Sequence, residues 1–369
     1  MGEFDLIERY FKRPERRVAR AAARASRASG TAPAAPDPRA PAAYHESPAL
    51  AGARVSLGIG DDCALLLPAP GTHLALSCDM LVEGRHFLST VDPAALGHKA
   101  LAVNLSDLAA CGAKPVAFML ALALPQADDA WLAPFSRGLL ALADEHGCEL
   151  MGGDTTRGPL NICITVFGEV PIVNGKSQAL LRSGAQAGDD LYVSGTLGDA
   201  RLALEVFRGT VSVPAEVFAQ ARFRMEQPTP RVALGMALRG IATAAIDVSD
   251  GLLGDLGHIL KASNVGATVQ TDIAIELISN YTYRTRATGL FDGCISEKQC
   301  LEYVLAGGDD YELAFTAPAS AQAAVLAAGA QANVRVTRIG KIDAQAGIRL
   351  LDAQGNILPP GFGSFDHFA

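Results

Sequence analysis

The sequence predicts a mixed α/β (α+β) protein of two domains, and three observations support this fold class. The chain has 369 residues, which exceeds the usual size of one domain. Hydrophobic residues make up 49% and charged residues 19%, with 37 glycines and 20 prolines, a composition typical of a compact enzyme with many tight turns. Beyond Val55, short apolar stretches alternate with longer helical ones, as strands and helices do in such folds.

The N-terminal domain is predicted over residues 1–172. It opens with a short helix at 5–12, followed at 14–48 by a low-complexity insertion of Ala, Arg, Pro and Ser. The arginines of this insertion form a basic helical face that would suit an acidic partner, but a solvated segment without function is the stronger interpretation. The remaining predicted elements are strands at 64–67, 73–78, 116–124 and 161–170 and helices at 93–111 and 129–146.

A polar, glycine-containing linker is predicted at 173–188, and the C-terminal α/β domain at 189–369. Its predicted elements are strands at 190–194, 243–248, 266–270, 311–316 and 335–339 and helices at 198–207, 231–241, 252–262 and 319–329. A second irregular insertion is predicted near 277–298, because few residues there would form a core.

Charge and cysteine content restrict the partners and the compartment. Against 39 acidic residues stand 31 Lys and Arg, for a net charge of −8, which opposes a broad contact with nucleic acid or an anionic membrane. Seven cysteines are an odd number without a CxxC pair, so no disulfide framework is expected. The acidic N-terminus does not resemble a signal peptide, and the longest apolar run, 116–124, is too short to span a bilayer. We therefore expect a cytoplasmic protein.

Three aspartates of the first half stand in positions that need explanation. Asp62 lies in the glycine turn that begins at Gly58, where Asp and Gly are common anyway. Asp79 is predicted at the end of a buried strand, where a lone carboxylate needs a cation. Asp107 falls on the apolar stripe of its helix, so that its partner is a bound cation, a basic side chain such as Lys99, or a backbone amide that it caps.

Three more aspartates follow glycine-rich or strand-end sequences. Asp154 closes the predicted turn Gly152-Gly153-Asp154, whose glycines would let the main chain approach a ligand. Asp247 and Asp250 lie where a strand gives way to the helix at 252–262. Here Ser249 and Asp250 either cap this helix or leave its free N–H groups to an anion.

Together these six carboxylates indicate a magnesium site, although each alone has a more ordinary explanation as a turn or cap residue. Oxygen ligands without a His or Cys cluster favour Mg²⁺ or Ca²⁺ over zinc. Because Mg²⁺ is usually held by a few carboxylates and substrate phosphates, the pattern predicts several Mg²⁺ ions around a polyphosphate and hence phosphoryl transfer. The Walker A pattern fails at Val170, and the dinucleotide fingerprint fails at Cys63.

An ordered set of motifs carries a resemblance to the bacterial thiamine-monophosphate kinases, of the aminoimidazole ribonucleotide synthetase-like superfamily. The motifs are Leu57-Gly-Ile-Gly-Asp-Asp-Cys-Ala-Leu, Gly84-Arg-His-Phe, Lys99-Ala-Leu-Ala-Val-Asn-Leu-Ser-Asp-Leu-Ala-Ala, Gly152-Gly-Asp-Thr-Thr-Arg-Gly-Pro-Leu, Leu181-Arg-Ser-Gly-Ala, Ile246-Asp-Val-Ser-Asp-Gly-Leu and Gly307-Gly-Asp-Asp-Tyr-Glu-Leu. The resemblance implies an N-terminal domain that forms a shared β-barrel in a homodimer. It also implies transfer of the ATP γ-phosphoryl to thiamine monophosphate, which gives thiamine diphosphate in the final step of that cofactor's biosynthesis.

The resemblance also assigns site residues. It places the Mg²⁺ ligands at Asp62, Ser77, Cys78, Asp79, Asp107, Asp154, Asp247 and Asp250, with Cys78 standing where relatives usually have Thr. ATP contacts are implied for Gly153, Asp154, Arg182 and Ser249, and the catalytic set for Asp107, Asp250 and Arg182. Substrate contacts are implied for His86, for Asp309, often Glu in relatives, and for Phe362, often Trp. His86 also fits a loop histidine bonded to the backbone, and Phe362 fits core packing.

Two other functions remain as alternatives. A selenophosphate-type synthetase of the same superfamily would carry a reactive cysteine near the N-terminus, whereas the first cysteine here is Cys63. A non-catalytic nucleotide or metal sensor would use the arginine-rich segment 14–48 for docking. Deleting that segment discriminates, because a sensor would lose its partner and a kinase would keep its turnover.

Overall fold

The structure, a computed structural model, describes residues 2–12, 54–279, 295–359 and 361–362. The predicted insertion at 14–48 and most of the one at 277–298 lie outside these residues. The short N-terminal helix α1, Glu3–Tyr10, confirms the predicted helix at the start of the chain. No helix among the described residues is long and apolar enough to cross a membrane.

The first half of the chain builds a sheet from long strands, beside a small hairpin of two short strands. Its elements are β1 (Val55–Leu57), β2 (Leu65–Leu66), β3 (Thr72–Val82), α2 (Pro93–Ala110), β4 (Lys114–Leu124), α3 (Asp129–His146), β5 (Glu149–Arg157), β6 (Asn161–Val173) and β7 (Lys176–Ser177). The main strand order is β3-β6-β4-β5. Strand β6 is antiparallel to both β3 and β4, whereas β5 runs parallel to β4.

Helices α2 and α3 cross at closely packed glycines on one face of this sheet. Helix α2 begins after Asp92, whose carboxylate accepts hydrogen bonds from the N–H groups of Ala94 and Ala95 at 2.8 and 3.2 Å. A Cβ added to Gly97 would lie 2.1 Å from the carbonyl oxygen of Phe135 in α3. Larger residues at this crossing would push the two helices apart, so the glycine fixes α2 against the sheet and α3.

The second half of the chain builds a six-stranded sheet with the order β13-β10-β12-β8-β11-β9. Its strands are β8 (Asp190–Ser194), β9 (Ala244–Val248), β10 (Gly266–Gln270), β11 (Glu312–Ala317), β12 (Val336–Asp343) and β13 (Gly347–Leu351). Its helices are α4 (Asp199–Phe207), α5 (Ala215–Glu226), α6 (Val232–Ala237), α7 (Leu252–Ser263), α8 (Thr271–Ala274), α9 (Glu297–Ala306) and α10 (Gln322–Gln331). One buried cluster contains Leu105 and Phe118 of the first half and Phe315 of the second, so the two halves share a continuous core.

The predicted order of elements is largely confirmed, with α3 matching its predicted bounds. Sequence patterns did not indicate α5, α9 or β13. The predicted turn at Gly152–Asp154 was wrong, because these residues lie inside β5 and pair with β4. Asp79 likewise lies within β3 rather than at its end, since pairing with β6 continues to Val82.

The two faces of the first sheet differ. Its inner face, toward α2, is built from buried side chains such as Phe118, Leu122 and Ile164. Its outer face leaves apolar side chains 38–59% exposed, namely Leu74, Leu76, Met80 and Met119. Alternation along each strand explains why one face is covered and the other is open.

Candidate functional site

Four of the six predicted aspartates come together where β3, α2 and the end of β9 meet. Burial, together with the nearby charges of Asp107 and Asp250, raises the pKa of the Asp79 carboxyl to about 6. The Asp247 carboxyl is also near enough to Asp107 and Asp79 for their charges to act on it. Sequence reasoning therefore identified an acidic cluster, which we call the aspartate cluster: Asp79, Asp107, Asp247 and Asp250.

Asp107 lies half-buried on α2, on the stripe that also holds Val103. The Ser77 hydroxyl of β3 donates a hydrogen bond to Asp107 Oδ2. Burial raises the pKa of Asp107, while this hydrogen bond and the positive charge of Arg182 act in the opposite direction. Arg182 is exposed. The exposed guanidinium is thus near the aspartate cluster and open to an anionic ligand.

Asp247 is the most enclosed member of the cluster. It lies in β9 with 6% of its surface exposed, and the Ser106 hydroxyl donates a hydrogen bond of 2.8 Å to its Oδ2. Burial, together with the charge of Asp107, raises the pKa of Asp247 to about 8. Ser106 was missed at the sequence level, although a serine next to Asp107 on a buried helix is a recognisable signal.

The turn between β9 and α7 is held by Asp255, which the sequence did not single out. The N–H groups of Ser249 and Asp250 both donate to Asp255 Oδ2 at 3.0 Å. The interpretation of Ser249 and Asp250 as helix caps was wrong, because the N-cap of α7 is Gly251 with no side-chain cap bond. The binding of an anion at the start of α7 stays a prediction. An acid in the first turn of a helix is the signal that would have found Asp255.

Asp309 lies in the loop before β11 and packs against the same turn. Its N–H donates to the carbonyl oxygen of Ser249 at 2.7 Å. Its carboxylate accepts a 2.7 Å hydrogen bond from Lys99 Nζ of α2. Lys99 is therefore paired with Asp309 and not with Asp107, which corrects that sequence-level alternative.

Asp62 and Asp154 lie away from the aspartate cluster within one chain. Asp154 of β5 belongs to a row of paired residues that crosses the sheet. The row continues through Ala121 of β4 and Cys163 of β6 to Met80 of β3. Three strand spacings separate β5 from β3, or roughly 14 Å. The turn leading to Asp62 lies beside β5, since a Cβ on Gly58 would be 3.9 Å from the Met151 carbonyl oxygen.

Gly153 allows β5 to approach β4 in a way no other residue would. Its φ is 150°, and an added Cβ would lie 1.8 Å from the Leu120 carbonyl oxygen. A glycine is required at this point of β5. Gly153 therefore sets the position of Asp154, the next residue.

The Cys78 side chain lies on the outer face of the first sheet, opposite to Ser77 and Asp79, because successive side chains of a strand alternate. The Thr165 hydroxyl donates to Cys78 Sγ at 3.4 Å, and Cys163 Sγ lies 3.5 Å from Cys78 Sγ. Having Cys at position 78, where relatives usually have Thr, therefore does not change the side chains that point into the aspartate cluster.

The other predicted substrate residues occupy two places. His86 follows β3, and its Nδ1 accepts a 2.9 Å hydrogen bond from the Val82 N–H, in line with the alternative of a backbone-bonded loop histidine. Phe362 packs against the core of the second half and, with Leu253 and Gly254 at the start of α7, lines a cavity of about 470 Å³.

The donor set of the aspartate cluster fits Mg²⁺. Carboxylate and hydroxyl oxygens form it, and neighbouring carboxylates contribute, after burial, to the raised pKa of Asp79 and of Asp247, as expected for acids gathered without an equal number of cations. In the described part of the chain no three Asp, Glu, His or Cys side chains are close enough to hold an ion alone. Water and substrate phosphates complete most protein Mg²⁺ sites, so the residues present fit an ion bound with its substrate.

Two family models match the chain over most of its length. The AIR synthase related protein N-terminal domain matches residues 60–170, and the C-terminal domain of the same family matches residues 186–352. The two sheets and the aspartate cluster between them thus belong to a protein of the AIR synthase related class.

Comparisons with individual proteins identify the family within the AIR synthase related class. The thiamine-monophosphate kinase of Salmonella typhimurium is 44% identical over 318 residues, which cover 85% of this chain and 93% of that protein. The solved thiamine-monophosphate kinase of Stenotrophomonas maltophilia K279a is 44% identical with a TM-score of 0.71, covering 80% of this chain and 91% of that one. The structure described as AaThiL complexed with AMPPCP and TMP is 27% identical with a TM-score of 0.66, covering 82% and 89%. The chain belongs to the thiamine-monophosphate kinase family.

Proposed function

We propose that this protein uses ATP to phosphorylate thiamine monophosphate, forming thiamine diphosphate and ADP as the final step in making that cofactor. The observation that carries the proposal is the aspartate cluster, four carboxylates from both halves of the chain with Arg182 beside them. Family membership supplies the substrates, because the relatives are thiamine-monophosphate kinases and one solved relative is complexed with AMPPCP and TMP.

We infer that several Mg²⁺ ions are shared among Asp79, Asp107, Asp247 and Asp250, each completed by water and substrate phosphates, with Ser77 positioned next to Asp107. When bound, Mg²⁺ neutralises the charge of the polyphosphate and of the phosphoryl group in transfer. The hydroxyl groups of Ser77 and Ser106 orient the carboxylates of Asp107 and Asp247 respectively, by hydrogen bonds.

Phosphoryl transfer needs positioning and charge neutralisation more than covalent chemistry from the protein. Arg182 provides a fixed positive charge beside Asp107, suited to the transferred phosphoryl group. The attacking phosphate oxygen of the substrate is already ionised at neutral pH, so no general base is required. We therefore propose direct in-line transfer, and trapping a phosphorylated protein intermediate would contradict it.

We also propose that two copies of the chain associate through the outer face of the first sheet, forming a shared barrel in a homodimer. Contiguous apolar side chains on that face are unusual for a monomer. Asp154 shares this face and lies too far from Asp79 to bind the same ion within one chain. Strand β3, which carries Asp79, is at the edge of the sheet, so a second copy that also packs along this edge would bring its own Asp62, Gly153 and Asp154 near the cluster.

A cytoplasmic location is part of the same proposal. The seven cysteines, an odd number without a CxxC pair, support a reducing compartment, because they indicate no disulfide framework.

A product assay tests the function. Purified protein is incubated with ATP, Mg²⁺ and thiamine monophosphate, and thiamine diphosphate and ADP are quantified together. We expect equal amounts of both products and a loss of at least about 100-fold in kcat for Asp107→Asn. The matched control, Asp272→Asn, changes an exposed aspartate of α8 and should leave kcat unaltered. ATP turnover without thiamine diphosphate would indicate another substrate, and Mg-ATP binding without turnover would indicate a sensor.

A further inference from the structure

Lys99 is a buried lysine that reaches from the first half of the chain to the second. Only 2% of its surface is exposed, and its Nζ donates a 2.7 Å hydrogen bond to Oδ2 of Asp309, 210 residues further along the chain. A buried ammonium group is costly unless a carboxylate accompanies it. The pair is therefore a specific contact between α2 and the loop that precedes β11.

The backbone of that loop is fixed from the opposite side. Asp309 has a φ of 63°, in the left-handed region, and its N–H bonds to the Ser249 carbonyl oxygen. A Cβ added to Gly308 would lie 2.7 Å from that same oxygen. Because Ser249 holds the main chain and Lys99 holds the side chain, the orientation of the Asp309 carboxylate is fixed. The side chain nevertheless remains 36% exposed.

Asp309 lies at the border of the aspartate cluster. Its N–H bonds to Ser249, whose neighbour in the chain is Asp250, a member of that cluster. As an anion, the Asp309 carboxylate would repel the phosphates and suits instead the cationic, hydrogen-bond-donating part of thiamine monophosphate.

We propose that Lys99 is a positioning residue for recognition of the thiamine substrate. Its ammonium group holds the Asp309 carboxylate toward the cationic, hydrogen-bond-donating heterocycles of thiamine monophosphate. Lys99 acts through Asp309 and does not itself contact the reacting atoms. This inference rests on the proposed function, because it requires that Asp309 contact the thiamine substrate.

Steady-state kinetics with the full-length chain tests this role. For Lys99→Met we expect KM for thiamine monophosphate to rise about tenfold or more, the factor of one charge-assisted hydrogen bond. The KM for ATP and kcat should stay within about twofold. Lys99→Arg, which keeps the charge, should bring the KM for thiamine monophosphate much of the way back to the wild-type value. The double variant Lys99→Met, Asp309→Asn should have a KM for thiamine monophosphate no higher than that of the more impaired single variant, since the two residues act as one unit.

The matched control is Arg338→Met, which removes another ion pair, 2.9 Å from Arg338 to Asp190 in the second sheet. It should leave both KM values unaltered. The inference is overturned if the wild-type enzyme makes thiamine diphosphate while Lys99→Met keeps the wild-type KM for thiamine monophosphate, or raises both KM values equally. If Lys99→Met does not fold, Asp309→Asn decides, and a wild-type KM in that variant overturns the inference. Failure of the wild type to make thiamine diphosphate would instead reject the proposed function.

Discussion

Ser106 donates a hydrogen bond of 2.8 Å to Asp247, a residue 141 positions away in the second sheet. The bond joins α2 to β9 at the centre of the aspartate cluster. It satisfies one oxygen of a buried carboxylate whose neighbours are other carboxylates. The stability of this part of the protein should therefore depend on pH and on Mg²⁺.

The pH dependence has a definite sign. Burial, with the nearby charge of Asp107, raises the pKa of Asp247 to about 8 and that of Asp79 to about 6, so the folded protein holds protons that the unfolded chain releases near 3.8. The metal-free protein should thus lose stability as the pH rises from about 4 to about 8. Mg²⁺ binds the deprotonated carboxylates, so the increase in Tm that it gives should grow over the same range.

Thermal denaturation across this pH range, with and without MgCl₂, measures both trends. Asp247→Asn keeps an acceptor for Ser106 without the charge. This variant should be more stable than the wild type near pH 8 without Mg²⁺, and Mg²⁺ should stabilise it less. A Tm of the metal-free wild type that rises from pH 5 to pH 8 would contradict the assignment.

Gly153→Ala should distort β5 at the residue before Asp154. The φ of 150° and the 1.8 Å approach to Leu120 leave no room for a methyl group, so we expect a loss of about 3 kcal/mol in the free energy of unfolding. Gly152→Ala is the control, because its added Cβ would meet only Met119 Cε at 4.0 Å. Urea denaturation of both variants measures the difference, and equal stability of the two would refute the account.

Mixing two inactive variants tests the shared site. If Asp154 of one copy completes the aspartate cluster of the other, Asp154→Asn and Asp107→Asn should each be inactive alone. A heterodimer of the two has one site with both changes and one site with neither, so activity should return on mixing and subunit exchange. Absence of recovery in mixtures shown by mass spectrometry to contain heterodimers would place all ligands in one chain.

Cys78→Thr should leave kcat within about twofold of the wild type, because a substitution outside a site changes free energies by ~0.5 kcal/mol or less. The side chain faces Thr165 and Cys163, away from Asp107. Ser77→Ala, one residue earlier but facing the cluster, should lower kcat and weaken the dependence on Mg²⁺. Kinetics of both variants at several Mg²⁺ concentrations provide the comparison, and a large effect of Cys78→Thr would show that its side chain serves the site.

The sequence by itself determined the local features of this protein. Periodicity located α2 and put Asp107 on its apolar stripe with Val103, and Asp128 and Gly147 marked the ends of α3. Such features depend on residues within a few positions of each other, where helical geometry alone fixes the neighbours. The family motifs likewise indicated the acidic residues of the site.

Only the tertiary structure decided which distant groups meet. Local patterns did not indicate that Lys99 pairs with Asp309 rather than with Asp107. They also did not indicate that the Asp255 carboxylate accepts hydrogen bonds from the backbone N–H groups that follow β9. The glycines of β5 read as a turn, because the tight packing that requires them comes from the neighbouring strand β4. Strand order and helix crossings bring such residues together, and these depend on the packing of the whole core rather than on any short stretch of sequence.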